Sequence, residues 1–365
     1  MKKLDLRDAE NLVLGCSIYG CGGGGNPRYG LKLLREGIKQ GLEFRLASLS
    51  DLNPHYSLVS AYFCGPIGNP CPGVPEREVS GELRAQAVKV YEKATSDRVA
   101  GIYPVELGGS NTPLAWRIAA ELGLPLLDAD AAGRAVPELA QNSLRVKGRE
   151  LYPAVLIDAL GDIVVLERYS SIEMYESLAR YLTTKSCGSV FIVDGGVAAQ
   201  AVSELLIEGT VSRCIEIGEK YREIMLSDTP EEASRKLAEL LGGFYLTSGK
   251  VAAAELKVEG GFLQGYYILY TSLGRAKVYV KNENIALWIE DKPAVLPPDL
   301  IIMIGDDGYP VLDSWLEEGM KLHVIAAPAH PIWRTEGGLK LLGPQHFGFK
   351  ERYIPLEALV ERLSI

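Results

Sequence analysis

Hydrophobic spacing divides the chain into two textures. Residues 5–19 carry Leu6, Ala9, Leu12, Val13 and Cys16 at helical spacing behind Asp5, which predicts a capped helix; a second follows near 30–39. Apolar runs then alternate with helical ones. Strands are expected over 43–49 and 58–64, a helix over 83–94, a strand over 99–107, and a short strand over 124–127. Between the last two, Thr112 suits an N-cap, Pro113 the first helical position, and Gly123 the C-cap. The alternation predicts a parallel, layered α/β domain. Beyond it, 152–159 and 163–168 read as a hairpin about Gly161-Asp162, and 172–183 as a helix. A strand over 190–193 runs into Asp194-Gly195-Gly196 and a helix over 197–207, and two more helices open at Thr210 and Thr229.

From residue 244 the texture changes to short β-rich runs: 244–256, 262–272, 275–281, 284–291, 300–304 and 321–326. No long helix fits before 356–363. With 365 residues the chain exceeds one ordinary core. The expected fold is α/β plus β. A three-layer α/β/α domain spans 1–243, a mostly β domain (barrel-like or sandwich) spans 244–345, and 346–365 form a C-terminal segment with a terminal helix.

Charge narrows the partners. A net charge of −9 offers no basic field for nucleic acid or anionic membrane, and no apolar run is long enough to span a bilayer. Met1-Lys2-Lys3 leads into acidic residues rather than a signal peptide, so a cytoplasmic protein is expected, with a homo-oligomer open. The six cysteines show no C-x-x-C pair, and reduced, partly buried thiols are expected; Cys16/Cys21 and Cys64/Cys71 are the local alternatives.

The chemistry concentrates at strand ends, where open α/β sheets bind ligands. Val105 to Pro113 reads as a strand end, a Gly-Gly turn and a helix mouth; Leu126 to Glu138 as a short strand ending in Asp128 and Asp130. Paired carboxylates push one pKa upward, as proton transfer at neutral pH requires, so Asp128 and Asp130 are catalytic candidates; Glu106, which ends an otherwise apolar strand and needs a partner if buried, is the third. A divalent cation at Asp128/Asp130 is a further option. The bland reading has the two aspartates capping the turn before Gly133 and pairing with Arg134. Arg134 is a candidate clamp for a substrate carboxylate, with an ion pair to Asp128 or Glu138 as the structural alternative. Asn111 and Thr112 are candidates to bind an oxygen at the helix mouth, or plain caps. The run Gly22-Gly23-Gly24-Gly25-Asn26 formally completes G-x-G-x-x-G, but the residues before it look helical, so no nucleotide cofactor is expected. Side-chain-free backbone that lets a ligand or another loop approach, with N–H groups aimed at an oxygen, is favoured. The Pro/Gly-rich run 65–76 reads as a binding loop. His330 is a candidate to reach the site from the β domain, while scattered histidines are generally structural.

Several of these stretches together resemble one family. They are Leu14-Gly15 with Gly20 to Pro27, Glu106 to Gly109 with Asn111-Thr112, and Asp128-Ala129-Asp130 with Gly133-Arg134-Ala135 and Pro137-Glu138. Asn282-Glu283-Asn284, Pro298 to Ile301, and Gly343-Pro344 with Phe347-Gly348 belong with them. The chain resembles the S-methyl-thiohydantoin desulfurase-like family, often grouped with hydantoinase/oxoprolinase proteins. The resemblance implies a three-layer part followed by a barrel-like part, and a small cyclic amide-like substrate; it brings no catalytic residue set. Asn26 stands where the family commonly has Asp. The leading expectation is a hydrolase or desulfurase acting on a hydantoin or thiohydantoin. Asp128 or Asp130 would activate water or a substrate N–H, and the glycine turn, Asn111, Thr112, Arg134 and Glu138 would bind substrate. The alternative is a non-catalytic ligand-binding partner of an ATP-dependent hydantoinase/oxoprolinase.

Overall fold

The computed structural model describes residues 1–65, 71, 73, 77, 79–259 and 261–363. Most of the 65–76 run expected to be a binding loop therefore lies outside the described residues. The α/β part is built on an eight-stranded sheet. Its order is Lys2–Lys3, Arg45–Ala47, Leu126–Leu127, Val99–Tyr103, Ser57–Cys64, Val190–Ala198, Ala154–Ile157 and Ile163–Leu166. The four strands from Arg45–Ala47 to Ser57–Cys64 pair in parallel, as the strand–helix alternation implied. The last three strands pair antiparallel, the final two as the expected hairpin.

Strand residues alternate between two cores. Val59, Val155, Ile157, Phe191 and Val193 pack beneath the helices Leu6–Tyr19, Gly81–Thr95 and Asn111–Glu121. Leu58, Ala154, Leu156, Val190 and Ile192 pack on the other face against the helix Ile172–Ser186. Period-two burial on both faces makes this the middle layer of a three-layer α/β/α arrangement.

The second sheet has seven strands, all paired antiparallel, in the order Lys292–Val295, Glu283–Ile289, Gly274–Lys281, Phe262–Thr271, Phe244–Glu259, Lys321–Ala327 and Leu300–Gly305. Lys292–Val295 was missed in the sequence because Pro293 and flanking charges hide a short edge strand. Ile301 and Met303 face a core closed by Leu356 and Val360 of the terminal helix. Leu300, Ile302 and Ile304 face Leu14, Ile18, Ile217, Tyr221 and Leu237. The first helix therefore serves both cores, Leu12 and Cys16 in one and Leu14 and Ile18 in the other. It crosses the helix Thr210–Met225 backbone to backbone: a Cβ at Gly15 would lie 1.9 Å from the carbonyl oxygen of Cys214. The glycine turn begins where the first helix ends, so it emerges at the seam of the two sheets.

Four expectations need correction. The Val99 strand ends at Tyr103 rather than 107, because Pro104 cannot donate to a ladder. The Val190 strand runs through Asp194-Gly195-Gly196 to Ala198, and only Val202–Leu205 is α-helical. Five hydroxyls account for this. Asp194 accepts from Tyr62 and Tyr175 at 2.8 Å each and from Ser60, Tyr103 donates to the Gly195 carbonyl at 2.5 Å, and Tyr91 faces Gly196. The helix Asn111–Glu121 has Ser110, not Thr112, at its N-cap, and Pro113 is its third residue. Finally, Cys71 and Cys187 form a disulfide across 116 residues, while Cys16, Cys21, Cys64 and Cys214 are free and buried. Local spacing cannot reveal a pair joined only by tertiary folding. No described helix is long and apolar enough to cross a membrane.

Candidate functional site

The glycine turn is a wedge between the two sheets. Cys21, Gly22, Gly24 and Gly25 all take positive φ (49°, 89°, 70° and 84°), which only Gly adopts without cost. A Cβ at Gly24 would stand 2.5 Å from the Cα of Gly108, and one at Gly25 1.9 Å from Ser110 Oγ. On the opposite side a Cβ at Gly23 would stand 2.3 Å from Glu283 Oε1, and one at Gly22 2.5 Å from Asp313 Oδ2. Backbone bonds fix the wedge. Ser110 N–H donates to the Gly24 carbonyl at 3.1 Å, Asn284 N–H to that of Cys21 at 2.7 Å, and Asp313 N–H to that of Gly22 at 2.8 Å. The close approach anticipated for these glycines is thus made by the chain itself, and the carboxyl oxygen beside them belongs to Glu283. Asn26 ends the turn as a helix cap, its Oδ1 accepting from Arg28 N–H at 2.9 Å.

Around this wedge the structure gathers most of the predicted residues. Glu106, 7% exposed, accepts from the Asn111 side chain and from Val136 N–H at 2.7 Å. Burial outweighs those donors and raises its pKa to about 7, with the Asp130 charge adding to the rise and Arg134 opposing it. Thr112 is drawn inward: its hydroxyl donates to the Glu106 carbonyl and accepts from Gly108 N–H, each at 3.1 Å. That closes the Gly-Gly turn and leaves the helix mouth to Asn111.

Asp130 is fully buried. Its Oδ2 accepts from Ala132 N–H (2.9 Å) and Gly133 N–H (2.7 Å), while its Oδ1 has no partner. Burial pushes its pKa up to about 7 against those two donors and the nearby Thr210 hydroxyl. Asp128 does something else. Its Oδ1 accepts from Ser212 N–H at 2.8 Å, in the first turn of the helix Thr210–Met225. Gly209, the N-cap there, has no side chain to give, so Asp128 supplies the capping oxygen from a neighbouring element. The two aspartates expected to work together thus have separate backbone partners.

Arg134 has partners that neither of its sequence readings named. Its guanidinium, 1% exposed, donates only to carbonyls: Ala135 (2.9 Å), Pro298 (2.7 Å), Asp299 (3.3 Å) and Asn284 (3.4 Å). It pairs with neither Asp128 nor Glu138 and leaves no fork for a substrate carboxylate. Glu138 instead meets Lys281 and His346, the latter at 2.8 Å. Burial works to raise the Glu138 pKa, but these two partners together outweigh it and hold the value down at about 2. His330 sits with its Cβ 3.7 Å from where a Gly133 Cβ would be.

Sequence reasoning missed Glu283, Asn284 and Asp313 as site residues. All three are buried, at 3%, 0% and 3% exposure. Glu283 Oε2 has no hydrogen-bond partner, the Asn284 side-chain amide faces the Asp313 carboxyl beside Gly22, and Asn284 Oδ1 accepts from Tyr267 OH at 2.8 Å. Burial drives the pKa of Glu283 and of Asp313 well above the usual carboxylate range. The available signal was the polar triplet Asn282-Glu283-Asn284 set between two β-rich runs; Asp313 carried none. Among the described residues, no group of three or more His, Cys, Asp or Glu side chains is arranged to hold a metal ion.

Two family models match the chain almost end to end: the S-Me-THD-like N-terminal domain over residues 7–168 and the S-Me-THD-like C-terminal domain over 170–356. The chain belongs to the S-Me-THD-like family. That membership agrees with the stretches quoted from the sequence and is consistent with a thiohydantoin-related role. A crystal structure of a protein from Chromobacterium violaceum shares the fold, with a TM-score of 0.78 at 22% identity over 98% of this chain and 100% of that one. No curated protein matches. The boundary between the two S-Me-THD-like models, near residue 169, passes through the eight-stranded sheet, whose Val190–Ala198 strand lies in the C-terminal match.

Proposed function

We propose that this S-Me-THD-like chain is a hydrolase or desulfurase acting on a small cyclic amide of the hydantoin or thiohydantoin class, by carboxylate acid–base chemistry. One observation carries the reading: Glu106 is buried, with Asn111 on one carboxylate oxygen and Val136 N–H on the other, and burial raises its pKa to about 7. A base poised at the working pH is what water activation needs. Glu106 would take a proton from water as the water oxygen attacks the ring carbon, and the departing thiol or ring nitrogen would then leave with a proton. Asn111, half-exposed at the helix mouth, is the group best set to orient the ring carbonyl. Asp130, with its free Oδ1, is the second proton-exchanging carboxyl. Arg134 is assigned a fixed positive field rather than a clamp, and Asp128 a cap.

A cytoplasmic setting is proposed with it. The Cys71–Cys187 bond would be unusual in a reducing cytosol, and thiol counting on protein quenched inside the cell tests that point. The function is tested by incubating the purified chain with hydantoin and S-methyl-thiohydantoin substrates and following thiol or ring-opened product. Loss of turnover in a folded Glu106→Gln variant supports the reading; unchanged turnover in it sinks the role of Glu106.

A further inference from the structure

We propose that Glu283 is the proton donor that works opposite Glu106, so that the acid and the base of the site come from different sheets and meet across the glycine turn. This rests on the hydrolytic reading above and deepens it.

An ionised carboxylate needs donors on its oxygens, and a protonated one carries an O–H of its own to give. Glu106 has a donor on each oxygen, Asn111 on one and Val136 N–H on the other, the environment of the charged form. Glu283 has less. The Gly24 N–H is the donor its carboxyl meets on the glycine turn, and its Oε2, fully buried, has no partner. A carboxylate buried with an orphan oxygen is costly, whereas a carboxylic acid there keeps a hydroxyl free to donate.

Charge counting agrees. Glu106, Asp130, Glu283 and Asp313 are all buried near one buried cation, Arg134, whose donors are committed to carbonyls. One guanidinium cannot offset four carboxylates in so dry a place, so protons must remain on some of them. Desolvation is the larger cause that keeps Glu283 protonated, and the negative charge of Glu106 acts on it directly in the same sense. Two acids pushed apart in this way divide the acid and base roles between them.

The backbone also serves the position. Glu283 opens the strand Glu283–Ile289, directly after Asn282, which takes positive φ (60°). Any side chain at Gly23 would occupy the place of its carboxyl. Gly23 and Asn282 are themselves half-exposed, as are Asn111 and Val136, so solvent reaches the rim above the buried pair.

The step balances without an outside reagent. Water loses a proton to Glu106 and its oxygen bonds to the ring carbon. The carbon–sulfur or carbon–nitrogen bond breaks, and the leaving atom takes the proton of Glu283. Return of the proton from Glu106 to Glu283 restores both groups.

The test uses infrared difference spectra and pH titration of the full-length wild type, Glu283→Gln, Glu106→Gln and Asp313→Asn. The wild type is expected to show protonated carboxyl absorption at pH 8 from Glu283 and Asp313 together, with the Glu283 component lost in Glu283→Gln and retained in Glu106→Gln and in Asp313→Asn. Where substrate is turned over, Glu283→Gln should lower kcat at least tenfold and remove the alkaline limb of the pH–rate profile. Gly23→Ala, which displaces the Glu283 carboxyl without deleting it, should lose the alkaline limb too. A protonated-carboxyl spectrum at pH 8 that is unchanged in Glu283→Gln overturns the proposal whether or not any substrate is found. Failure to find turnover, with the band behaving as expected, counts against the hydrolytic reading and leaves the proton on Glu283 established.

Discussion

Asn111 reaches back across the Gly108-Gly109 turn and donates its side-chain N–H to Glu106, five residues earlier in the chain. The same turn is locked from within by Thr112, whose hydroxyl bridges Glu106 O and Gly108 N–H. A helix mouth that would ordinarily be capped by its own side chain is therefore free to hold a carboxylate. Asn111→Ala removes one of the two donors that favour ionised Glu106, so its pKa should rise further above 7. The acid limb of the pH–rate profile should move to higher pH. A hydrogen bond to a charged group contributes roughly 1.5–3 kcal/mol, so activity at neutral pH should fall by one to two orders of magnitude, while the melting temperature moves little.

Asp128 offers the contrasting case. Its carboxylate caps the helix Thr210–Met225 through Ser212 N–H, and nothing ties it to Glu106 or Asp130. Asp128→Ala should cost about 1 kcal/mol of stability, within the range for losing a helix cap. Turnover should be retained. A denaturant melt and one assay on the same preparation check both halves. Lost activity at unchanged stability would return Asp128 to the chemistry.

Much of the fold was legible in the sequence. The parallel half of the first sheet followed from strand–helix alternation, and the antiparallel second sheet from its run of short β segments. The convergence of the glycine turn, Glu106, Asn111 and Arg134 could be framed because each stands at a strand end or helix mouth. The features that stayed hidden have one physical cause. Side-chain partners in this seam are set by tertiary contact between segments some 150 or more residues apart, as when Arg134 reaches the carbonyls of Asn284 and Pro298. Pattern reasoning pairs a charged group with charges nearby in sequence. It therefore offered Arg134 the carboxylates of Asp128 and Glu138, passed over Glu283 and Asp313, and could not join Cys71 to Cys187.

Asp130 predicts the shape of stability against pH. Its pKa is raised from 3.8 unfolded to about 7 folded, and that of Glu106 from 4.5 to about 7. A group raised on folding leaves stability intact below its unfolded value and withdraws it as pH climbs to the folded value. Wild-type stability should therefore fall between about pH 4 and pH 7 on account of these two groups. One pKa unit corresponds to about 1.4 kcal/mol, so each carboxyl accounts for a loss on the order of 2–4 kcal/mol. Asp130→Asn should flatten the curve over that window, and Asp130→Asn with Glu106→Gln should flatten it more. Urea melts at pH 5 and pH 8 decide the point: equal pH dependence in wild type and double variant would mean neither group is raised.

Glu138 should behave in the opposite sense. It sits between Lys281 of the second sheet and His346 of the C-terminal segment, and its pKa is held at about 2. A depressed carboxyl contributes stability above its unfolded value of 4.5 and gives it up as pH falls toward the folded value. Glu138→Gln should therefore weaken the wild-type fold at pH 7, where the charge is present, with the effect shrinking toward pH 2, where the folded carboxyl is already half protonated. The loss at pH 7 should be about 1–3 kcal/mol, since one acceptor of two charge-assisted bonds is neutralised in a partly screened site. Lys281→Met probes the same contact from the other side. Its ammonium also lies 4.5 Å above the Phe262 ring, so that variant should lose a further increment that Glu138→Gln does not. If Glu138 instead bound substrate, as expected from the sequence, Glu138→Gln would raise KM with stability unchanged. A melt at two pH values alongside one saturation curve separates the two roles.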